Sequence, residues 1–265
     1  MKMKAYFKFI VFVVFLAFTV SIEMARADGI DWLLHIDTDE LLYAGGTSSF
    51  SLQELLRKVP EQVDIVIFTN YEALPEHTSV EDPFTEVSLF KRNYAHVDSS
   101  AFFESYAAVS RGNPNYFITY ANGKSAARVV DGLRSNGAHR WNNYNRRPVE
   151  WLSEQGAVLH YTYNKFQDLI SRRDRCDCKP TKEDAARCFL LAFDRVAFIE
   201  ASLRDDDQLM DFYKERLVWD DVSQIVKFLK KGLFTRLYEP QLIIRGIKEE
   251  AKQREGDLRG DSIQR

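Results

Sequence analysis

The segment Asp31-Trp-Leu-Leu-His-Ile-Asp-Thr-Asp-Glu-Leu-Leu-Tyr43 combines a short apolar run with two carboxylates at its exit. The residues from Trp32 to Ile36 have the length and composition of a buried strand in a mixed or parallel sheet. Because side chains alternate faces along a strand, Asp37 and Asp39 would point in the same direction. Functional groups collect at the carboxyl ends of strands in such sheets. The segment therefore predicts a strand that ends in a metal site.

The Asp37-Thr-Asp39 triplet suits a hard cation that is shared with a diphosphate. Mg²⁺ and Mn²⁺ prefer oxygen ligands and take one or two protein carboxylates, which leaves positions for phosphate oxygens and water. The same triplet is also typical of a solvated turn or a helix cap. His160, inside the apolar run 157–163, is the predicted third ligand, because a neutral imidazole suits Mn²⁺. A hydrogen-bonded core histidine is the alternative at that position.

The chain has 265 residues, of which 45% are hydrophobic and 13% aromatic. This length allows one large domain or two small ones, and the composition supports a substantial core. The formal net charge of -3 gives no electrostatic reason to expect a nucleic-acid partner.

Residues 1–22 predict a hydrophobic targeting or anchor segment, because basic residues precede an apolar run from Phe9 to Val20. A cleaved signal peptide fits the length of the run, and Ala25-Arg26-Ala27 supplies a small-x-small cleavage site. A retained segment would anchor a single-pass type II membrane protein. Both interpretations predict the secretory pathway, with the Golgi lumen or the plasma membrane as the destination. At the other end, residues 251–265 predict a charged tail.

The three cysteines, Cys176, Cys178 and Cys188, lie close together in the sequence. A structural zinc site needs four ligands, and no histidine lies between or just after these residues. The pattern therefore favours one disulfide or simple burial over zinc binding.

Helical and strand patterns alternate along the chain, which predicts an α/β protein. A helix is expected to end near Ala27 with Gly29 as its cap, and another to start after Ser51 with Leu52, Leu55, Leu56 and Val59 on its buried face. Strands are predicted at 63–69, 86–93, 116–120, 126–130 and 157–163. Helices are predicted at 98–109, 182–198, 205–219, 220–231 and 241–252.

Several polar residues are candidates for substrate contacts. Glu72 lies in the polar loop 70–83 after a predicted strand and is the candidate general base. The Gly123-Lys-Ser125 sequence lacks the earlier glycine of a Walker motif, and a hairpin turn at Asn122-Gly123 is the simpler interpretation. Lys124 and Arg128 are candidate contacts for a phosphate or for the acceptor. Arg172 and Arg173 could meet a diphosphate or form a solvated helix end.

Five motifs occur in a fixed order: Asp-Trp-Leu-Leu-His-Ile-Asp-Thr-Asp-Glu-Leu (31–41), Asn-Gly-Lys-Ser-Ala-Ala-Arg-Val (122–129), Gly-Ala-His-Arg-Trp (137–141), Leu-His-Tyr-Thr-Tyr (159–163) and Arg-Arg-Asp-Arg-Cys-Asp-Cys-Lys-Pro (172–180). Together they resemble the plant KOBITO group of glycosyltransferase-like proteins, which is related to glycosyltransferase family 92. The resemblance runs from about residue 21 to about residue 246.

This resemblance implies a GT-A fold over residues 23–250, with a mixed sheet flanked by helices and a helical part from about residue 165. It implies that Asp37 and Asp39 hold Mn²⁺ or Mg²⁺ against the diphosphate of a nucleotide sugar, and that the sugar passes to a glycan acceptor. It also implies a membrane-anchored hexosyltransferase involved in cell-wall polysaccharide formation.

The chain departs from the GT-A pattern at its start. Roughly 100 residues of nucleotide-binding domain are expected before the metal triplet by the length of βαβ units. Here 36 residues precede Asp37, and most of them belong to the apolar segment. The N-terminal part of the nucleotide-binding half is therefore expected to be lacking. The alternative hypothesis is accordingly a truncated, inactive relative that binds glycans or partner proteins in the secretory pathway.

Overall fold

The computed structural model describes residues 18–97, 109–113, 123–175 and 177–263. The helix predicted at 98–109 and the strand predicted at 116–120 lie largely or wholly outside these residues, as do Asn122 and Cys176. Contacts divide the chain into two compact units. Unit 1 contains Met1–Asn70 and Ala121–Leu159, and unit 2 contains Tyr71–Tyr120 and His160–Arg265.

The strands in the described residues are β1 (Trp32–Leu34), β2 (Glu40–Ala44), β3 (Ile65–Ala73), β4 (Leu89–Lys91), β5 (Lys124–Arg128), β6 (Leu133–Asn136), β7 (Arg140–Asn143), β8 (Glu150–His160) and β9 (Phe234–Arg236). The helices are α1 (18–27), α2 (Leu52–Arg57), α3 (Pro83–Glu86), α4 (Phe166–Ile170), α5 (Lys182–Cys188), α6 (Ala192–Leu203), α7 (Asp206–Arg216), α8 (Val222–Lys230) and α9 (Glu239–Ile263). Strands β3 and β8 begin in unit 1 and end in unit 2.

Unit 1 contains a mixed sheet. Strand β5 pairs antiparallel with β1 on one side and with β3 on the other. Strand β8 pairs with both β2 and β3. The N–H of Ile65 at the start of β3 donates to the carbonyl of Val149, just before β8, so these two strands start side by side and run parallel. The prediction of an α/β protein with a mixed sheet is confirmed, whereas the GT-A assignment stays a prediction.

Helix α2 forms as its sequence predicts. The Ser51 side chain caps it by accepting a hydrogen bond from the Glu54 N–H. Leu55, Leu56 and Val59 are buried against the sheet, which confirms the predicted apolar face. Gly29, with φ of 64°, follows α1 as the expected cap. Sequence reasoning missed the hairpin of β6 and β7, whose polar residues give no strand pattern.

The end of the apolar N-terminal run belongs to the core of unit 1. Phe18 and Ile22 on α1 are only 8% and 4% exposed and pack with Ile65, Leu133 and Trp141. Within the described residues, no helix combines the length and the apolar composition needed to cross a bilayer. The predicted localisation as a single-pass membrane protein is corrected by this finding. Residues 1–17 of the predicted anchor lie outside the described residues.

Unit 2 contains the end of β3, which pairs antiparallel with β4, and β4 pairs in turn with β9. Helices α4 to α9 follow in sequence. The main helical core includes the large side chains of Leu169, Phe193, Leu209 and Tyr213, each at most 2% exposed. A second cluster contains Trp219, Phe228 and Phe234 in edge-on or tilted aromatic contacts.

Three predicted element bounds in unit 2 are wrong. The strand predicted at 86–93 is only Leu89–Lys91; Glu86 instead ends α3, and its carboxylate accepts from the Asp82 N–H. The helix predicted at 182–198 is two helices, because Phe189 is extended. The last helix continues to Ile263, beyond the predicted end at Lys252.

Cys178 and Cys188 form a disulfide, which confirms the predicted alternative of one disulfide among the three cysteines.

Candidate functional site

The Asp37-Thr-Asp39 triplet lies in the turn between β1 and β2. Strand β1 ends at Leu34, so the triplet does not continue the strand, and the argument from alternating faces does not apply. The Glu40 N–H donates to the Asp37 carbonyl at 3.2 Å, which closes the turn. The Asp37 side chain is 41% exposed. The triplet thus has the form of a solvated turn, and a turn of this kind can still present carboxylates to a cation.

Lys124 is the charge partner of this turn. Its side chain, at the start of β5, is 0% exposed, and its Nζ donates to Asp37 Oδ2 at 2.6 Å. The same Nζ lies 3.4 Å from Oε2 of Glu40, a side chain that is also 0% exposed. It donates in addition to the Ala138 carbonyl at 3.3 Å. One buried ammonium is therefore shared by two carboxylates.

Two histidines of unit 1 lie at the same cluster. His35 Nε2 is 3.8 Å from Asp37 Oδ1, and its Nδ1 is 3.2 Å from the Ala138 carbonyl oxygen. His139 Nδ1 is 2.9 Å from the Gly123 carbonyl oxygen. Burial lowers the pKa of His139, and the positive charge of Lys124 acts in the same direction. Both imidazoles were missed as site residues, although each lies in one of the quoted motifs.

A second cluster lies in unit 2 at the ends of β3 and β8. His160 Nδ1 is 3.0 Å from Oε1 and 3.1 Å from Oε2 of Glu72. The Thr162 hydroxyl is 2.7 Å from His160 Nε2. Glu72, the predicted base, and His160, the predicted third metal ligand, therefore contact each other. A carboxylate on one ring nitrogen is a common way to orient an imidazole that binds a metal through the other.

Lys91 belongs to the second cluster, because it pairs with Glu72 across β3 and β4. Its side chain is only 2% exposed. Burial lowers its pKa to about 7, and the negative charge of Glu72 opposes this shift. Sequence reasoning missed Lys91, because its strand partner is not visible in a local pattern.

The three predicted phosphate-binding arginines have partners within the protein. Arg128 Nε donates to the Val63 carbonyl at 2.8 Å, and its guanidinium lies 4.4 Å from the Trp32 ring centroid. Arg172 lies 3.3 Å from Asp194, and Arg173 lies 2.6 Å from Asp206. A diphosphate would have to compete with these contacts, and phosphate binding by these arginines stays a prediction.

The carboxylates fit a divalent cation in part. Asp37, Asp39 and Glu40 carry three formal negative charges against one positive charge on Lys124, and Mg²⁺ or Mn²⁺ needs only one or two protein carboxylates. Within the described residues, however, no three His, Cys, Asp or Glu side chains are grouped as a ready metal site. Asp37 and Asp39 belong to unit 1 and His160 to unit 2. Metal binding by these three residues stays a prediction.

Comparison with known proteins identifies similar plant proteins. No family model matches the chain. The chain is 54% identical over 230 residues to "Glycosyltransferase-like At2g41451" of Arabidopsis thaliana. The matched segment covers 87% of this chain and 51% of that protein. It is also 51% identical over 230 residues to "Glycosyltransferase-like At3g57200" of the same plant, and this matched segment covers 87% of this chain and 45% of that protein. The chain thus spans about half the length of the curated relatives it matches, and its similarity is to proteins named glycosyltransferase-like.

Proposed function

We propose that the chain acts as a glycosyltransferase of the hexosyltransferase type, which transfers a sugar from a nucleotide sugar to a glycan acceptor. The main observation that supports this proposal is the 54% identity over 230 residues, which is most of this chain, to a protein named glycosyltransferase-like. The carboxylate-bearing turn after β1 supports the proposal, because its carboxylates could hold a divalent cation that in turn binds the negatively charged diphosphate of a nucleotide sugar. A cell-wall polysaccharide is the proposed acceptor.

In this proposal, the turn of unit 1 is the site for Mn²⁺ or Mg²⁺. A divalent cation supplies positive charge for the departing nucleotide diphosphate when it is bound. Asp37 and Asp39 would hold it, while Lys124 fixes the orientation of the Asp37 carboxylate through its bond of 2.6 Å. The Asp37 side chain is 41% exposed, so part of it is accessible to solvent.

Glu72 of unit 2 is the proposed base that accepts the proton of the acceptor hydroxyl. Its carboxylate is oriented by His160 Nδ1, which contacts both carboxylate oxygens. The side chains of His160 and Glu72 are 10% and 14% exposed, so water has limited access to the pair. A base that is held in one orientation and partly desolvated is better suited to remove a hydroxyl proton than a fully solvated carboxylate.

A second candidate is a catalytically inactive relative that binds glycans or partner proteins. The observation in its favour is the engagement of Asp37 Oδ2 by a fully buried ammonium. In a protein without catalysis, the same ion pair would serve only to stabilise the turn.

The two candidates are separated by a binding and turnover experiment on the full chain. A panel of nucleotide sugars with Mn²⁺ should raise the melting temperature through ligand binding to the folded state, and the bound donor should be hydrolysed slowly. Asp39→Ala should abolish the stabilisation, whereas Asp28→Ala, an exposed control, should retain it. If no donor stabilises the protein or is hydrolysed, and Asp39→Ala behaves like the control, the transferase proposal fails.

A further inference from the structure

Lys124 occupies an unusual position for a lysine. Its side chain is 0% exposed, although lysine is almost never fully buried unless it is paired. It starts β5, which lies between β1 and β3 in unit 1. The preceding Gly123 lies so close to β3 that an added Cβ would come within 1.9 Å of the Phe68 carbonyl oxygen. The backbone at Lys124 is therefore held by the sheet.

The ammonium is also fixed by its partners. It donates to Asp37 Oδ2 at 2.6 Å and to the Ala138 carbonyl at 3.3 Å, and it lies 3.4 Å from Glu40 Oε2. Glu40 is as deeply buried as Lys124, and its other oxygen, Oε1, has no hydrogen-bond partner among the described residues. A buried carboxylate with an incomplete set of partners depends strongly on the cation it has.

We propose that Lys124 is the resident cation of the carboxylate turn and that it competes with a divalent metal for Asp37. The inference rests on the proposed cation site of the turn, but it does not depend on sugar transfer. It assigns Lys124 the role of a competing cation that lowers metal affinity, in place of the phosphate contact expected from the sequence.

The proposal follows from the distribution of charge. An oxygen of Asp37 that already accepts from an ammonium is a poorer metal ligand, because the ammonium and the metal repel each other. Even in the dielectric of water, repulsion between an ammonium and a divalent cation that share one carboxylate corresponds to about a tenfold loss of affinity. The repulsion is larger at a buried ammonium, where solvent screens less.

The test compares Mn²⁺ affinity between variants, by electron paramagnetic resonance of free Mn²⁺ and by the shift in melting temperature. Lys124→Met alone leaves the carboxylates of Asp37 and Glu40 without their cation, which can prevent folding. The decisive pair is therefore Glu40→Gln and the double variant Glu40→Gln/Lys124→Met. Neither variant of this pair leaves an ionised buried side chain without a partner, because Asp37 is 41% exposed and can be solvated.

We expect the double variant to bind Mn²⁺ at least about tenfold more tightly than Glu40→Gln. Lys58→Met controls for the loss of one positive charge, because Lys58 is 59% exposed and pairs with Glu54 on the surface; it should leave the affinity at the wild-type value. Equal or weaker binding by the double variant would overturn the proposal. Donor turnover is not a readout here, so failure of the transferase proposal and failure of this inference give different results.

Discussion

Replacing Gly123 by alanine should destabilise the protein strongly, because the position combines two requirements that only glycine meets. Its φ is 43°, in the left-handed region. An added Cβ would lie 1.9 Å from the Phe68 carbonyl oxygen and 3.0 Å from the Asn70 nitrogen. Both atoms belong to the backbone of β3, so they cannot move aside as the end of a flexible side chain could.

The expected magnitude has two parts. The left-handed conformation costs about 1–2 kcal/mol for a residue with a Cβ. The collision with the β3 backbone adds about 1–3 kcal/mol, as other overpacking substitutions do. We therefore expect Gly123→Ala to lower the free energy of unfolding by about 2–5 kcal/mol. Urea unfolding followed by circular dichroism measures this change, provided that the m value stays constant.

Gly137→Ala is the matched control. Gly137, in the turn between β6 and β7, has φ of 70°, but an added Cβ there would meet nothing within 4 Å. This variant should show the conformational part alone, about 1–2 kcal/mol. The difference between the two variants is then the cost of the close approach. If both variants lose the same stability, the close approach of Gly123 to β3 is refuted.

Three further predictions concern charge and cross-linking. Asp64→Asn should destabilise the protein at pH 7, because the Arg146 guanidinium and the Val149 N–H lower the pKa of Asp64. The difference in free energy of unfolding between wild type and the variant should shrink as the pH falls below about 4, and a difference that stays constant with pH would contradict this prediction. Burial lowers the pKa of Lys91 from 10.5 to about 7, so between these pH values the unfolded chain keeps a proton on Lys91 that the folded protein has lost. The stability of wild type relative to Lys91→Met should therefore be greater at pH 9.5 than at pH 7 when both are measured by unfolding. Cys188→Ser should cost about 2–3 kcal/mol from the loss of a short disulfide loop, and dithiothreitol should reduce wild type to the same stability; unequal values would refute this account.

Local sequence signals predicted the elements whose stabilising contacts are also local. Ser51 caps α2 through a residue three positions later, and Leu55 and Leu56 fall on one helix face, so a single short window contains the whole signal. The strand from Trp32 to Leu34 falls in its predicted apolar run, although its residues are half-buried rather than buried. The strand predicted at 157–163 is Glu150–His160, and only its last part is apolar and buried. Their bounds shifted because pairing partners, which are distant in sequence, decide where a strand ends.

The candidate site was predicted less well, because its contacts are long-range. Lys124 and Asp37 are 87 positions apart, and His160 and Glu72 are 88 positions apart. The hairpin turn predicted at Asn122-Gly123 lies partly outside the described residues, and the conformation of Gly123 and its closeness to β3 are what the structure shows of it. No pattern of neighbouring residues reports that Lys124 is buried. Asp37, Lys124, Glu72 and His160 were selected from the sequence without their partners, and His35, His139 and Lys91 were missed.

The two clusters share a feature that bears on function. Among the described residues, Lys124 in unit 1 and Lys91 in unit 2 are the buried lysines, at 0% and 2% exposed, and each lies beside a carboxylate selected from the sequence as a site residue. Burying an ammonium costs more free energy than its ion pair returns in many proteins, and an apolar side chain of similar size is often at least as stable. A buried ion pair at either position is therefore weak evidence of a purely stabilising role. We therefore expect the chemistry of Asp37 and Glu72, rather than packing, to determine the residue type at both positions.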